Sequence, residues 1–130
     1  MNSGSLVVRL PSYTAPRNTW REAIHRAVSD QMHAAGIVFT EHDRVSVDVR
    51  LFMSDSMLRF HDVDNRLKDI LDALQGRAGG PKKTRRLAAL IPNDHQIYRA
   101  SVEKGPVPAD GHLGGELRIS RISADSVGAA

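Results

Sequence analysis

Leu67, Ile70, Leu71 and Leu74 recur at i, i+3, i+4 and i+7, the spacing that puts apolar side chains on one face of a helix. Such a face must be buried against another element, and Gly76 is placed to end the helix. Immediately before it stand Asp62, Val63, Asp64 and Asn65, of which Asp64 or Asn65 is a suitable N-cap. Up to that cap the chain is read as extended, so that Asp62 and Asp64, two residues apart, project to the same side. Lys68 follows Asp64 by one helical turn and shares its side. An acid pair that binds a cation, beside a lysine that can meet an anion, suits phosphate chemistry. The whole stretch from Arg59 to Leu74 is therefore the candidate active site.

The remaining elements follow from periodicity and punctuation. Leu6–Leu10 reads as a strand stopped by Pro11, and the two prolines of 11–18 mark a loop. Thr19 is placed to cap a helix whose apolar positions Trp20, Ile24, Ala27, Val28, Met32 and Ala35 keep helical spacing up to Gly36. Arg21, Glu22, His25, Arg26 and Asp30 lie off that stripe and read as its solvated face. Val45, Val47, Val49 and Leu51 alternate with Ser46, Asp48 and Arg50, a strand over Arg44–Phe52. Met53–Leu58 reads as a turn region. Gln96–Lys104 and Glu116–Ile122 read as the last two strands, Thr84–Leu90 as a short helix, and 123–130 as a frayed tail. The expected architecture is a single α/β domain over residues 1–130, a small mixed sheet with two helices on one face.

With 130 residues, 41% hydrophobic and 25% charged, the chain can bury one core without staples. It has no cysteine, which removes disulfides, thiolate nucleophiles and cysteine-type zinc sites together. No apolar run approaches the roughly 20 residues that span a bilayer, and the N-terminus lacks the apolar centre of a signal peptide, so the expectation is a cytoplasmic protein. The net charge is +3, but its distribution is uneven. Arg77, Lys82, Lys83, Arg85 and Arg86 fall between Gly76 and Leu90 with no acid among them, leaving the remainder at −2. A basic, mobile loop over 77–92 on a slightly acidic body points to a local polyanion contact.

Asp94, just before the strand from Gln96, is the third acid. If that strand lies beside the extended approach to Asp62, three carboxylates converge at one sheet edge. Three hard oxygen donors suit Mg2+, or Mn2+, rather than zinc. Such an ion activates water and offsets the charge that builds on a phosphate, so phosphodiester hydrolysis follows, with Lys68 stabilising the transition state. No H-E-x-x-H pattern occurs among the six histidines, and an EF-hand reading fails because Leu67 stands where that loop needs glycine.

Together Asp62-Val63-Asp64-Asn65, Lys68, Asp72-Ala73-Leu74 and Asn93-Asp94-His95-Gln96 resemble the RusA family of Holliday junction resolvases. The match is close over residues 59–104. The resemblance implies a homodimeric, Mg2+-dependent α/β endonuclease that cuts four-way DNA junctions symmetrically on two opposed strands. It carries over Asp62, Asp64 and Asp94 as metal-binding acids and Lys68 as the essential lysine. Arg59, His61, Lys82, Lys83, Arg85 and Arg86 become the candidate DNA contacts. Three departures stand out. Asn93 replaces the first acid of the family's aspartate pair, His61 replaces the basic residue before the first aspartate, and the basic linker is longer than in compact members.

Each feature also has a plain reading. Taken alone, Asp62 and Asp64 cap a helix, Lys68 pairs with Asp72 at i+4, Asp69 and Asp72 face solvent or support the helix, Trp20 belongs to the core, and the basic loop is a solvated segment. Two alternatives therefore accompany the resolvase: a non-catalytic nucleic-acid-binding module, and a nuclease for other branched DNA.

Overall fold

The computed structural model describes residues 4–78 and 87–122. Lys82, Lys83, Arg85 and Arg86, with the proposed tail at 123–130, lie outside the described residues.

The order is β1 (Ser5–Leu10), α1 (Arg17–Ala35), β2 (Val45–Phe52), α2 (Asp55–Phe60), α3 (Val63–Leu74), a 3-10 turn (Asp94–Gln96), β3 (Ile97–Gly105) and β4 (Gly114–Arg121). The strands form one mixed sheet in the order β1-β4-β2-β3. β4 runs antiparallel to both β1 and β2, while β2 and β3 are parallel. A parallel pair needs a long crossover, and here the crossover contains α2, α3 and the basic segment.

Alternation decides the faces. Val45, Val47, Val49 and Leu51 of β2, with Leu6, Val8 and Leu10 of β1 and Leu117 and Ile119 of β4, point into one core. Trp20, Ile24, Val28 and Met32 of α1 and Ile70, Ala73 and Leu74 of α3 enter the same core, so both long helices cover one face of the sheet. The opposite face is polar, and cross-strand register there sets unlike charges side by side, as in Arg50 with Glu103 at 2.6 Å. The expected mixed α/β architecture is thus the observed one. No described helix is long and apolar enough to cross a membrane.

Boundaries differ in instructive ways. α1 begins at Arg17 behind Pro16, and Thr19 lies in its first turn, its N–H donating to Pro16 O at 2.9 Å. Proline presets the backbone angle for helix entry and displaces the expected cap. Part of the expected turn at 53–58 belongs to α2, a short helix over Asp55–Phe60. α3 begins at Val63 with Asp62 as its N-cap, and Leu87–Leu90 is not helical.

The far end of α3 closes as expected. Gly76 adopts φ 78, its N–H donates to Ala73 O (3.0 Å), and the Arg77 N–H donates to Asp72 O (2.9 Å), a Schellman motif. The returning chain docks on this end. Leu87 N–H donates to Gly76 O (3.0 Å), and Leu90 and Ile91 N–H both donate to Leu74 O (2.8 and 3.1 Å).

Candidate active site

Because α3 starts at Val63, the extended geometry expected for Asp62 and Asp64 does not hold. A step of two residues near a helix start turns by roughly 200° rather than returning to one side. Asp62 is exposed at the N-cap and makes no capping hydrogen bond, while Asp64 sits in the first turn. Asp64 and Lys68, four apart, keep a common face.

That face lines a groove of about 350 Å3, to which α3 contributes Asp64, Leu67, Lys68, Leu71 and Asp72 and the chain beyond it Gln75 and Arg77. Asp94 closes the groove from the turn before β3. The opposite stripe of the helix, Arg66, Asp69, Ile70, Ala73 and Leu74, is buried. One periodicity therefore serves both core and groove. Asp64, Lys68 and Asp94 are all exposed, and none forms an ion pair among the described residues. Asp72 pairs instead with Arg21 at 3.3 Å, which leaves the Lys68 ammonium to the groove. Asp62 is not part of the lining.

Asp94 is held from behind. Asn93 caps the 3-10 turn through its side chain, and its N–H donates to Gln96 Oε1 at 2.8 Å. Gln96 is buried, and its Nε2 donates to Thr40 O (2.6 Å) and Asp43 O (2.8 Å). Asparagine is among the strongest helix caps, so Asn93 suits the start of this turn. Gln75, also buried, donates to Ile91 O at 2.6 Å and fastens the chain leading to Asp94 onto α3.

His61 is biased toward its neutral form. Burial, then the nearby charges of Arg66 and Lys104, holds its imidazole below the usual histidine range. Its ring meets Tyr13 edge-on with centroids 4.7 Å apart, and Nδ1 lies 3.3 Å from Arg66 Nη1. Arg59 is exposed on α2.

On the buried side of α3 lies a charged cluster centred on Asp69, which was expected to face solvent or support the helix. Asp69 is fully buried, with Arg17, Arg21 and Arg66 around its carboxylate at 2.9, 3.0 and 3.3 Å. Arg66 also stacks over Tyr13, 4.4 Å from the ring centroid. Arg21 is correspondingly drawn in from the solvated face of α1. The four-residue spacing of Arg17 and Arg21 and the three-residue spacing of Arg66 and Asp69 were the available signals.

Among the described residues no three histidine, aspartate or glutamate side chains are grouped closely enough to hold a metal ion, so the expected convergence of three carboxylates is not formed. Asp64 and Asp94 still fit Mg2+ by donor chemistry, because this ion commonly takes one or two carboxylates and completes its shell with water and substrate phosphate. No protein-family model and no curated protein matches the chain.

Proposed function

We propose that the protein is a Mg2+-dependent, structure-selective DNA endonuclease that resolves four-way junctions during recombination and repair inside the cell. The observation that carries this reading is the placement of Asp64, Lys68 and Asp94 along one groove. The flanks of the basic segment support it, since the chain departs beyond Arg77 and returns at Leu87 at the same end of α3. Asp64 and Asp94 would hold the ion, while Asp62, exposed at the N-cap, does not line the groove. Bound there, Mg2+ supplies Lewis-acid activation of water and neutralises phosphate charge. Lys68 Nζ donates to a non-bridging phosphate oxygen and gains most where charge builds as the phosphodiester P–O bond breaks. Two copies related by a two-fold axis would set two grooves against opposed strands of a junction with the same symmetry.

The test is incubation of a labelled four-way junction, and of a linear duplex of the same arms, with Mg2+ or EDTA. Paired symmetric nicks confined to the junction and lost in EDTA are expected. Asp64→Asn should lower cleavage by at least about 1,000-fold, the several kcal/mol that metal-ion catalysis supplies, while junction binding persists. Binding without cleavage by the unaltered protein in both Mg2+ and Mn2+ would instead establish the non-catalytic module. Cleavage of flaps or forks in preference to junctions would establish the other branched-DNA nuclease.

A further inference from the structure

Phe60 is 83% exposed, the most exposed large hydrophobic residue among those described. Single exposed apolar residues are common and need no explanation by themselves. What distinguishes Phe60 is how firmly its surroundings are tied. Met57 and Leu58, on the same short helix, pack against the core. The Lys104 ammonium donates to two carbonyls that flank Phe60, Leu58 O and, at 2.7 Å, His61 O. The His61 N–H donates to Met57 O at 3.2 Å, and its ring is held by Tyr13. The backbone is anchored on both sides of Phe60, and the ring is left in water.

The position matters as much as the exposure. Phe60 ends α2 at the elbow with α3, two residues before Asp62, and its Cα lies within about 14 Å of chain from Asp64. Arg59 beside it is exposed and can meet a backbone phosphate. An aromatic ring presented beside a cation is the pairing used to stack on unpaired bases, and apolar wedges are also the side chains that enter opened base steps. Entering an intact duplex requires unstacking, whereas at a branch point the stack is already interrupted, so a fixed wedge discriminates between the two.

Resting on the reading of the chain as a branched-DNA nuclease, we propose that Phe60 is a specificity-determining residue that stacks on a base freed at the branch point and thereby selects branched over linear DNA. It takes no part in the hydrolysis. Its binding energy is available only where a base face is open.

The experiment uses the full chain in EDTA with a four-way junction and a duplex of the same arms, each carrying 2-aminopurine at the position of the branch or its equivalent. Emission from this base rises when it leaves the stack. The unaltered protein should prefer the junction and raise its emission. Phe60→Ala should reduce the junction-to-duplex affinity ratio about tenfold or more, as expected for one lost base–aromatic stack, and abolish the rise. Phe60→Tyr should retain both. Circular dichroism controls for folding, and sedimentation for association. If the unaltered protein prefers the junction and Phe60→Ala does so equally, the wedge is overturned and the nuclease reading stands. If Phe60→Ala changes the sedimenting mass, the ring is a contact between copies and the wedge is likewise overturned. If the unaltered protein shows no preference for the junction, the reading and the wedge fall together.

Discussion

Asp69 brings one carboxylate among three guanidinium groups in the interior, and they do not share it equally. Arg17 is 42% exposed at its side chain and can turn toward water, and Arg21 has Asp72 as a second partner. Arg66, with a side chain only 8% exposed, has no second carboxylate, and beyond Asp69 its guanidinium hydrogen-bonds only the His61 ring among the described residues, at 3.3 Å. Its Nε and Asp69 Oδ2 lack hydrogen-bond partners among the described residues, so this pair is held by charge and by stacking on Tyr13. Removing one member of such a pair strands the other. Asp69→Ala should therefore lose about 3–5 kcal/mol of stability in urea unfolding. Arg66→Met combined with Asp69→Leu should recover much of that loss, because two desolvated charges leave together. A small loss for Asp69→Ala alone would show that Arg66 reaches solvent. This cluster was not legible because an aspartate off the apolar stripe reads as surface, and only the fold brings Arg17 and Arg21 over it. Lys68, in contrast, stands on the groove face that its spacing from Asp64 implied.

At the scale of elements, α3 was the most legible part of the chain. Its apolar stripe, its glycine stop and the shared side of Asp64 and Lys68 are local properties of a 3.6-residue period. Its start was less legible, since Asp62, Asp64 and Asn65 are all good caps and the stripe begins too late to choose among them. That shift of two residues decides the geometry of the site, because it places Asp62 at the cap and Asp64 in the groove. The end of α3 is tied to the returning chain through Gly76, whose carbonyl accepts from the Leu87 N–H. At φ 78 a Cβ would meet Leu87 O, whereas at Gly36, φ 67, the same atom would enter open space. Gly36→Ala should cost only the left-handed strain, about 1–2 kcal/mol. Gly76→Ala should cost more, by displacing the return through Leu87, and should reduce cleavage as well as the unfolding midpoint. Equal losses at the two glycines would mean that the return gives way freely.

Over the whole molecule, sequence patterns assigned the four strands and the alternation of β2, but not the exposure of Tyr98 and Ala100 on β3 or the order β1-β4-β2-β3, because pairing between distant strands depends on long-range packing that no local period encodes. The charge pattern, however, was legible at this scale. The surplus of positive charge falls in one segment whose flanks leave and rejoin the groove end of α3, while the opposite face of the sheet alternates in sign. On the proposed reading, a polyanion would be drawn toward one end of one groove rather than over the whole surface. Phosphate contacts release counterions, so affinity should depend steeply on salt, with a slope that falls by about 0.9 for each contact removed. Replacing Lys82, Lys83, Arg85 and Arg86 together with serine should reduce the slope of log K against log salt by up to about 3–4. It should weaken junction and duplex binding alike, since contacts to phosphates carry no information about branching. The measurement is a salt titration of both DNAs with the unaltered and quadruply substituted chains. An unchanged slope would assign the electrostatic attraction elsewhere, with Lys68 and Arg77 the cations that line the groove among the described residues.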